Sequence, residues 1–146
     1  MTIIAEVNSL TVPAQIFAPL SATLFRLIAA IGDVATPENI NDNNTGLALA
    51  FTLNEYAIIE LVGLFKITQY RQYGVVTNTG DGAFKLEYQD DSNAWHDWVT
   101  GIAVHVVAGW TEWVSVSEVV CKAVRLSCTT QDTVGQSRIT ELEVKY

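Results

Sequence analysis

Much of the chemistry that usually marks a function is missing from this chain. The two cysteines of this 146-residue chain have no His cluster nearby and are too few for a structural zinc site. Cys121 and Cys128 are seven apart and would point to opposite faces of one continuous strand, so free, buried thiols are expected. Basic residues are scarce as well. Eight Lys and Arg against sixteen Asp and Glu leave a net charge of −8, which excludes a partner held by its phosphate backbone, since nucleic acid needs clustered cations that release counterions. No apolar run is long enough to span a bilayer, so no membrane insertion is expected. The N-terminal MTIIAEVNSL lacks the basic start, apolar core and small-residue cleavage site of a secretory signal, which implies synthesis in a cytoplasm. There is no serine nucleophile elbow, no metalloprotease helix and no phosphate-cradling glycine loop. The carboxylates are numerous but none is marked by a motif, so no catalysis is expected.

What is present is alternation. Apolar residues make up 49% of the chain and charged ones 16%, enough for one domain with its own core. Phe84, Leu86 and Tyr88 alternate with Lys85, Glu87 and Gln89, the period of a strand with one buried face. Asp90-Asp91-Ser92-Asn93 then supplies four turn-forming side chains before Trp95. Leu47 to Leu53, Ala57 to Gly74, Ile102 to Val107, Trp113 to Val120 and Leu142 to Tyr146 read as further strands. Residues 37–46 and 77–82 are polar, turn-rich loops. Before them, Thr2 to Val7 reads as an edge strand. Leu24, Leu27, Ile28 and Ile31 fall at helical spacing between Ser21 and Gly32, although a buried strand would carry the same apolar run; the helix is preferred. Many short strands with turns between them predict an all-β antiparallel sandwich, with residues 1–36 as an N-terminal extension and 37–146 as the sandwich.

The strand, acidic turn and Trp of FKLEYQDDSNAWHDW (84–98) resemble the signature of discoidin domains, the coagulation-factor C-type relatives within the galactose-binding-like superfamily. AIIELVGLFKITQYRQYG (57–74) is similar to that family's pair of strands around a Gly-marked connection. CKAVRLSCTTQDTVGQSRITELEVKY (121–146) is similar to its closing strands, with Ala123-Val124-Arg125-Leu126 and Glu141-Leu142-Glu143-Val144 in the matching places. The resemblance implies a jelly-roll β-sandwich in which Trp95 packs between the sheets. It also implies structural Ca2+ in a loop spaced Asn39-x-x-Asp42-x-Asn44, closed by the carbonyl of Thr140 and the side chain of Glu141. This chain carries Asn43 where the family usually has Gly, and an Asx-rich turn without an ion would use the same residues.

Sugar sites pair an aromatic face with a few polar groups. Trp98, Trp110 and Trp113 lie at or beside predicted loops, and Arg71, His96 and Asp97 are polar residues able to join one of them; the plain alternative for each Trp is a partly buried packing role. Arg125 and Arg138 read as structural, paired with a carboxylate or crossing a sheet edge. The family's Arg-x-Asp arrangement for fucose is absent after Tyr70. A free-standing, acidic, signal-less member of this family implies, by analogy, a homo-oligomeric virion surface component of a tailed phage, in head decoration or in tail or fibre, with neighbouring virion subunits as partners. The alternative is a free-standing lectin-like adhesion protein that meets a cell-surface glycan.

Overall fold

Two long alternating stretches become two long strands, and the rest of the sheet is laid against them. The computed structural model describes residues 31–145; the edge strand at Thr2 to Val7 and the expected helix up to Ile31 lie outside them, and Ile31, expected at the end of that helix, is instead in a strand because its backbone pairs with Ile58. The elements in chain order are β1 (Ile31–Gly32), a 3-10 helix (Pro37–Asn41), β2 (Leu49–Phe51), β3 (Tyr56–Tyr73), β4 (Ala83–Gln89), β5 (Trp95–Ala103), β6 (Val114–Thr130), β7 (Ser137–Ile139) and β8 (Glu141–Lys145). The larger sheet runs β1-β3-β6-β4-β5, with β8 also paired to β3, and the smaller one is β2-β7. Every pairing is antiparallel. The fold is an antiparallel β-sandwich, as the alternation predicts.

The core forms where the inward faces meet. Phe51 of the small sheet contacts Phe84 of the large one edge to face, with ring centroids 5.4 Å apart, and Leu49, Ile59, Ile67, Leu86 and Leu126 are fully buried around them. On β3, Phe65 and Ile67 face inward and Lys66 and Thr68 do not, as the pattern predicts.

Three expectations change. Residues 57–73 lie in one strand that runs through Gly63 and not in two strands around it, with Gly74 just past its end, and the pairing breaks register between the Glu60–Ala123 and Phe65–Cys121 pairs. Across that break the inward parity of β6 reverses, so Cys121 and Cys128 are both buried in one core and not on opposite faces; both thiols are free. The strand expected at 102–107 ends at Ala103, because the chain there turns toward the end of β3.

That turn is held by backbone bonds: the amide of Gly74 donates to the Gly109 carbonyl at 2.9 Å, Val75 to His105 at 3.0 Å and Thr111 to Gln72 at 2.9 Å. Gly74 permits the approach. A Cβ at this position would lie 2.4 Å from the Val107 carbonyl oxygen and 2.6 Å from that of His105. Gly74→Ala is therefore expected to lower stability by about 1–3 kcal/mol through overpacking, read from urea unfolding; a variant as stable as the parent would show that the 105–107 loop yields freely.

Candidate functional site

Three groups of polar and aromatic side chains gather in space, two of them built from residues singled out from sequence. The first is oxygen-rich and sits where the loop after the 3-10 helix meets β8. The amide of Asn44 donates to Asp42 Oδ1 at 2.8 Å and to Glu141 Oε1 at 2.6 Å, so two carboxylates converge on one N–H. Burial raises the Glu141 carboxyl, and the Asp42 carboxylate beside it raises it further, to about 8. Asn43, in the family's glycine position, adopts φ 60°, the left-handed conformation that Asn tolerates, so the substitution leaves the turn intact. Thr140 is the neighbour of Glu141 and donates its amide to the Tyr73 carbonyl at 3.1 Å. Asn39 turns its amide nitrogen to Thr36 Oγ1 at 3.2 Å, and Asn44 Oδ1 accepts from the Gly46 amide at 3.0 Å. Among the described residues no three His, Cys, Asp or Glu side chains form a metal-holding group. Any hard cation here would therefore be held by the Asp42–Glu141 pair with amide and backbone oxygens. The facing carboxyl groups fit such a cation, which would displace the proton that Glu141 retains near neutral pH.

The second group lies on the outer side of the β3–β8 pair. Arg71 and Glu143 are register partners, and Arg71 Nε and Nη2 both reach Glu143 Oε2 at 2.7 Å. The guanidinium lies 4.2 Å from the ring centroid of Trp110 and 4.5 Å from that of Trp113. Lys145 Nζ sits 4.0 Å from Trp113, and Trp110 meets Tyr73 edge to face at 5.5 Å. The bonds that close the 104–113 loop onto β3 carry Trp110 to this place. Arg71, Trp110 and Trp113 thus form one cluster.

The other three sequence candidates are elsewhere and apart. His96 stacks on Tyr88 with centroids 5.0 Å apart and bonds Asp90 at 2.7 Å, inside the β4–β5 hairpin. Asp97 pairs with Lys85 at 2.9 Å. Trp98 packs against the core and donates Nε1–H to the Ser117 carbonyl at 2.8 Å, so its indole braces β5 against β6. Trp95, expected between the sheets, faces outward instead. A register irregularity between the Leu86–Val99 and Glu87–Asp97 pairs sets Trp95 and Asp97 on the outer face, and Trp98 takes the inward place.

That outer face carries the third group, which the sequence reading missed. Register rows across β3, β6 and β4 align Tyr56, Ser127 and Lys85, then Ile58, Arg125 and Glu87, then Glu60, Ala123 and Gln89, with Asp97 and Trp95 of β5 extending the last two. Arg125 binds Glu87 through two parallel bonds of 2.7 Å, and Ser127 Oγ donates to the same carboxylate at 3.0 Å. Lys85 bridges Glu87 at 3.0 Å and Asp97 at 2.9 Å. The Arg125 guanidinium lies between Trp95 at 4.4 Å and Tyr56 at 5.5 Å. Arg125 is thus paired with a carboxylate as expected. Arg138 instead reaches Gln136 Oε1 at 3.3 Å and Thr77 Oγ1 at 3.4 Å.

No family model matches the chain, and neither does any curated protein. Solved structures share the fold. A pectin-binding carbohydrate-binding module superposes with a TM-score of 0.68 at 18% identity, over 80% of this chain and 88% of that one. A family 32 carbohydrate-binding module from Clostridium perfringens, in complex with GalNAc-β-1,3-galactose, gives 0.68 at 14% identity over 83% and 97%. The family 32 module of C. perfringens NanJ, in complex with galactose, gives 0.69 at 12% over 84% and 97%. At these identities the likeness shows the fold alone: an antiparallel β-sandwich.

The Glu87 network has a pH signature. Burial by itself would raise the carboxyl, but hydrogen bonds from Arg125, Lys85 and Ser127 outweigh it and hold the group at about 2, below its ordinary 4.5. The native state therefore gains from ionised Glu87 above pH 4.5 and loses that gain as pH falls from 4.5 through about 2. The melting temperature of Glu87→Gln is expected to fall less steeply than that of the parent over this window, followed by circular dichroism; parallel slopes would mean that Glu87 is not linked to folding.

Proposed function

We propose that this chain is a non-catalytic carbohydrate-binding module whose sugar site is the Arg71, Trp110 and Trp113 cluster. The observation that carries the reading is a guanidinium fixed between two indoles on a fold shared with modules described as binding pectin or galactose-containing sugars. A pyranose presents a flat C–H face that packs on an indole, while its hydroxyls need donors and acceptors at the ring's edge. Trp110 bears one stacked cation and Trp113 bears two, which makes Trp110 the ring less covered by charge. Both Arg71 contacts fall on Oε2 of Glu143, so Oε1 accepts a sugar hydroxyl in this reading. The side chains are already ordered by one another, which reduces the entropy lost on binding.

Trp110→Ala is expected to raise Kd for galactose or N-acetylgalactosamine at least tenfold in a fluorescence or calorimetric titration, with the melting curve unchanged. An unaltered Kd would remove the site, and no saturable binding by the parent protein across a glycan panel would remove the proposal.

In the same reading Asp42 and Glu141 hold Ca2+, with Asn39, Asn44 and Thr140 supplying amide and backbone oxygens. When bound, the ion neutralises two facing carboxylates and ties the 37–44 loop to β8. Calcium is expected to raise the melting temperature over that in chelator, and Glu141→Gln is expected to abolish the rise. Identical melts with and without calcium would overturn the assignment. The expectation of a virion surface component draws no support from the structural neighbours, so a glycan is the partner carried forward.

A further inference from the structure

The outer face of β3, β6, β4 and β5 holds a second set of groups suited to a glycan, away from Arg71. Two open hollows lie along it. One, of about 250 Å³, is lined by Tyr56, Lys85, Glu87, Arg125 and Ser127 among others. The other, of about 350 Å³, is lined by Glu60, Leu61, Gln89, Asn93, Lys122 and Ala123. Beside the first hollow, Arg125 covers one face of the Trp95 indole, which itself lines neither hollow; among the described residues no other cation or ring meets it.

Spacing and charge narrow the ligand. From Ser127 to Ala123 the face advances four residues along β6, about 13 Å at strand rise, which is a length for a chain of sugars and not for one. The basic groups around the hollows, Lys85, Lys122 and Arg125, are matched by the acidic Glu60, Glu87 and Asp97. Arg125 and Lys85 are already committed to Glu87 and Asp97, and Lys122 is held by the Asp91 carbonyl and the Asn93 side-chain oxygen, so the face carries no excess of positive charge to select a uronate. Glu87 is nearly fully buried and cannot be reoriented without stranding Arg125.

From this arrangement, and resting on the carbohydrate reading above, we infer that the outer sheet face is a second, extended subsite for a neutral oligosaccharide. Trp95 is the stacking platform, and Tyr56, Lys85 and Asp97 are the hydrogen-bonding groups around it. Its rigidity comes from Arg125, which is held by Glu87 and holds both rings in place. The Arg71 cluster takes a single sugar or a chain end, whereas this face takes the run of a chain.

The test uses galactose and neutral hexasaccharides of glucose, mannose and galactose, titrated calorimetrically into the parent protein, Trp95→Ala and Trp110→Ala at low and high salt. At least one hexasaccharide is expected to bind the parent more tightly than galactose does, with affinity insensitive to salt. Trp95→Ala is expected to weaken that hexasaccharide at least tenfold while leaving galactose unchanged. Tyr56→Ala, on the far side of Arg125, gives an independent variant with the same expectation should Trp95→Ala fold poorly. Hexasaccharide binding untouched by both variants but lost in Trp110→Ala would overturn the second subsite and leave the first standing. Absence of binding to any of the sugars would overturn both.

Discussion

The pairing of β3 with β6 is the constraint from which the rest follows. These strands, of 18 and 17 residues, run antiparallel through most of their length, and every other strand of the large sheet is added to one of them or to β4. Their inward residues supply much of the core, and their outward residues supply Arg71, Tyr56 and Arg125, around which both outer clusters are built. A change in the β3–β6 register would therefore rearrange core and clusters together, because moving a strand by one residue exchanges its faces. The break between Glu60 and Phe65 shows the fold using that rule: it reverses the parity of β6 once, so that a long twisted strand keeps apolar groups inside at both ends.

Two buried glutamates show how much of the electrostatics depends on a neighbour and how little on burial. Glu87 and Glu141 are both almost inaccessible. Glu87 faces Arg125, Lys85 and Ser127 and is held ionised, with its carboxyl lowered to about 2. Glu141 faces Asp42, receives one backbone N–H and is raised to about 8. Desolvation acts in the same direction on both, and the sign of the outcome is set by the partner. The first is a finished structural pair. The second is a pair of carboxyl groups with too few donors, where a bound cation would take the place of the proton that Glu141 retains near neutral pH, which is the reason a cation is proposed there and not at the larger polar network.

The strands were legible in the sequence wherever alternation was regular, as in Phe84 to Gln89 and Leu142 to Lys145, and so was the β4–β5 turn, whose Asp90 accepts from the Ala94 amide at 2.9 Å. Asp42, Asn44 and Glu141 could be placed together because a family resemblance supplied their pairing across the chain. Trp95 and Trp98 could not be told apart, since one irregularity in the β4–β5 register decides which of them faces the core and no local pattern records it. The same limit hid the Glu87–Arg125 network. Lys85 and Glu87 lie on one face by the period of two, but Arg125 joins them only through strand pairing 38 positions away. The extra reach assumed for the 102–107 strand failed for another reason: its β-branched residues are used to close a loop onto β3, and propensity yields to the backbone bonds of Gly74 and Val75.

The division between what is shared and what is particular follows from the same geometry. The neighbours have in common with this chain a sandwich at 12–18% identity, and the compounds associated with them range from pectin to galactose, so the sheet framework does not choose the sugar. Selection must come from groups set outside the core, and here they differ in how they are supported. Trp110 is delivered by a ten-residue loop pinned at Gly74, whereas Trp95 stands on a paired strand and is braced by Arg125. A loop can change length without disturbing the core, but a strand position is tied to three neighbouring strands through its register row. Under the proposed function, change in the sugar recognised is therefore cheaper at the Trp110 end than across the sheet face. In the proposed sites the loop is where specificity can vary, and the sheet face is where a lasting preference for the shape of a chain can be kept.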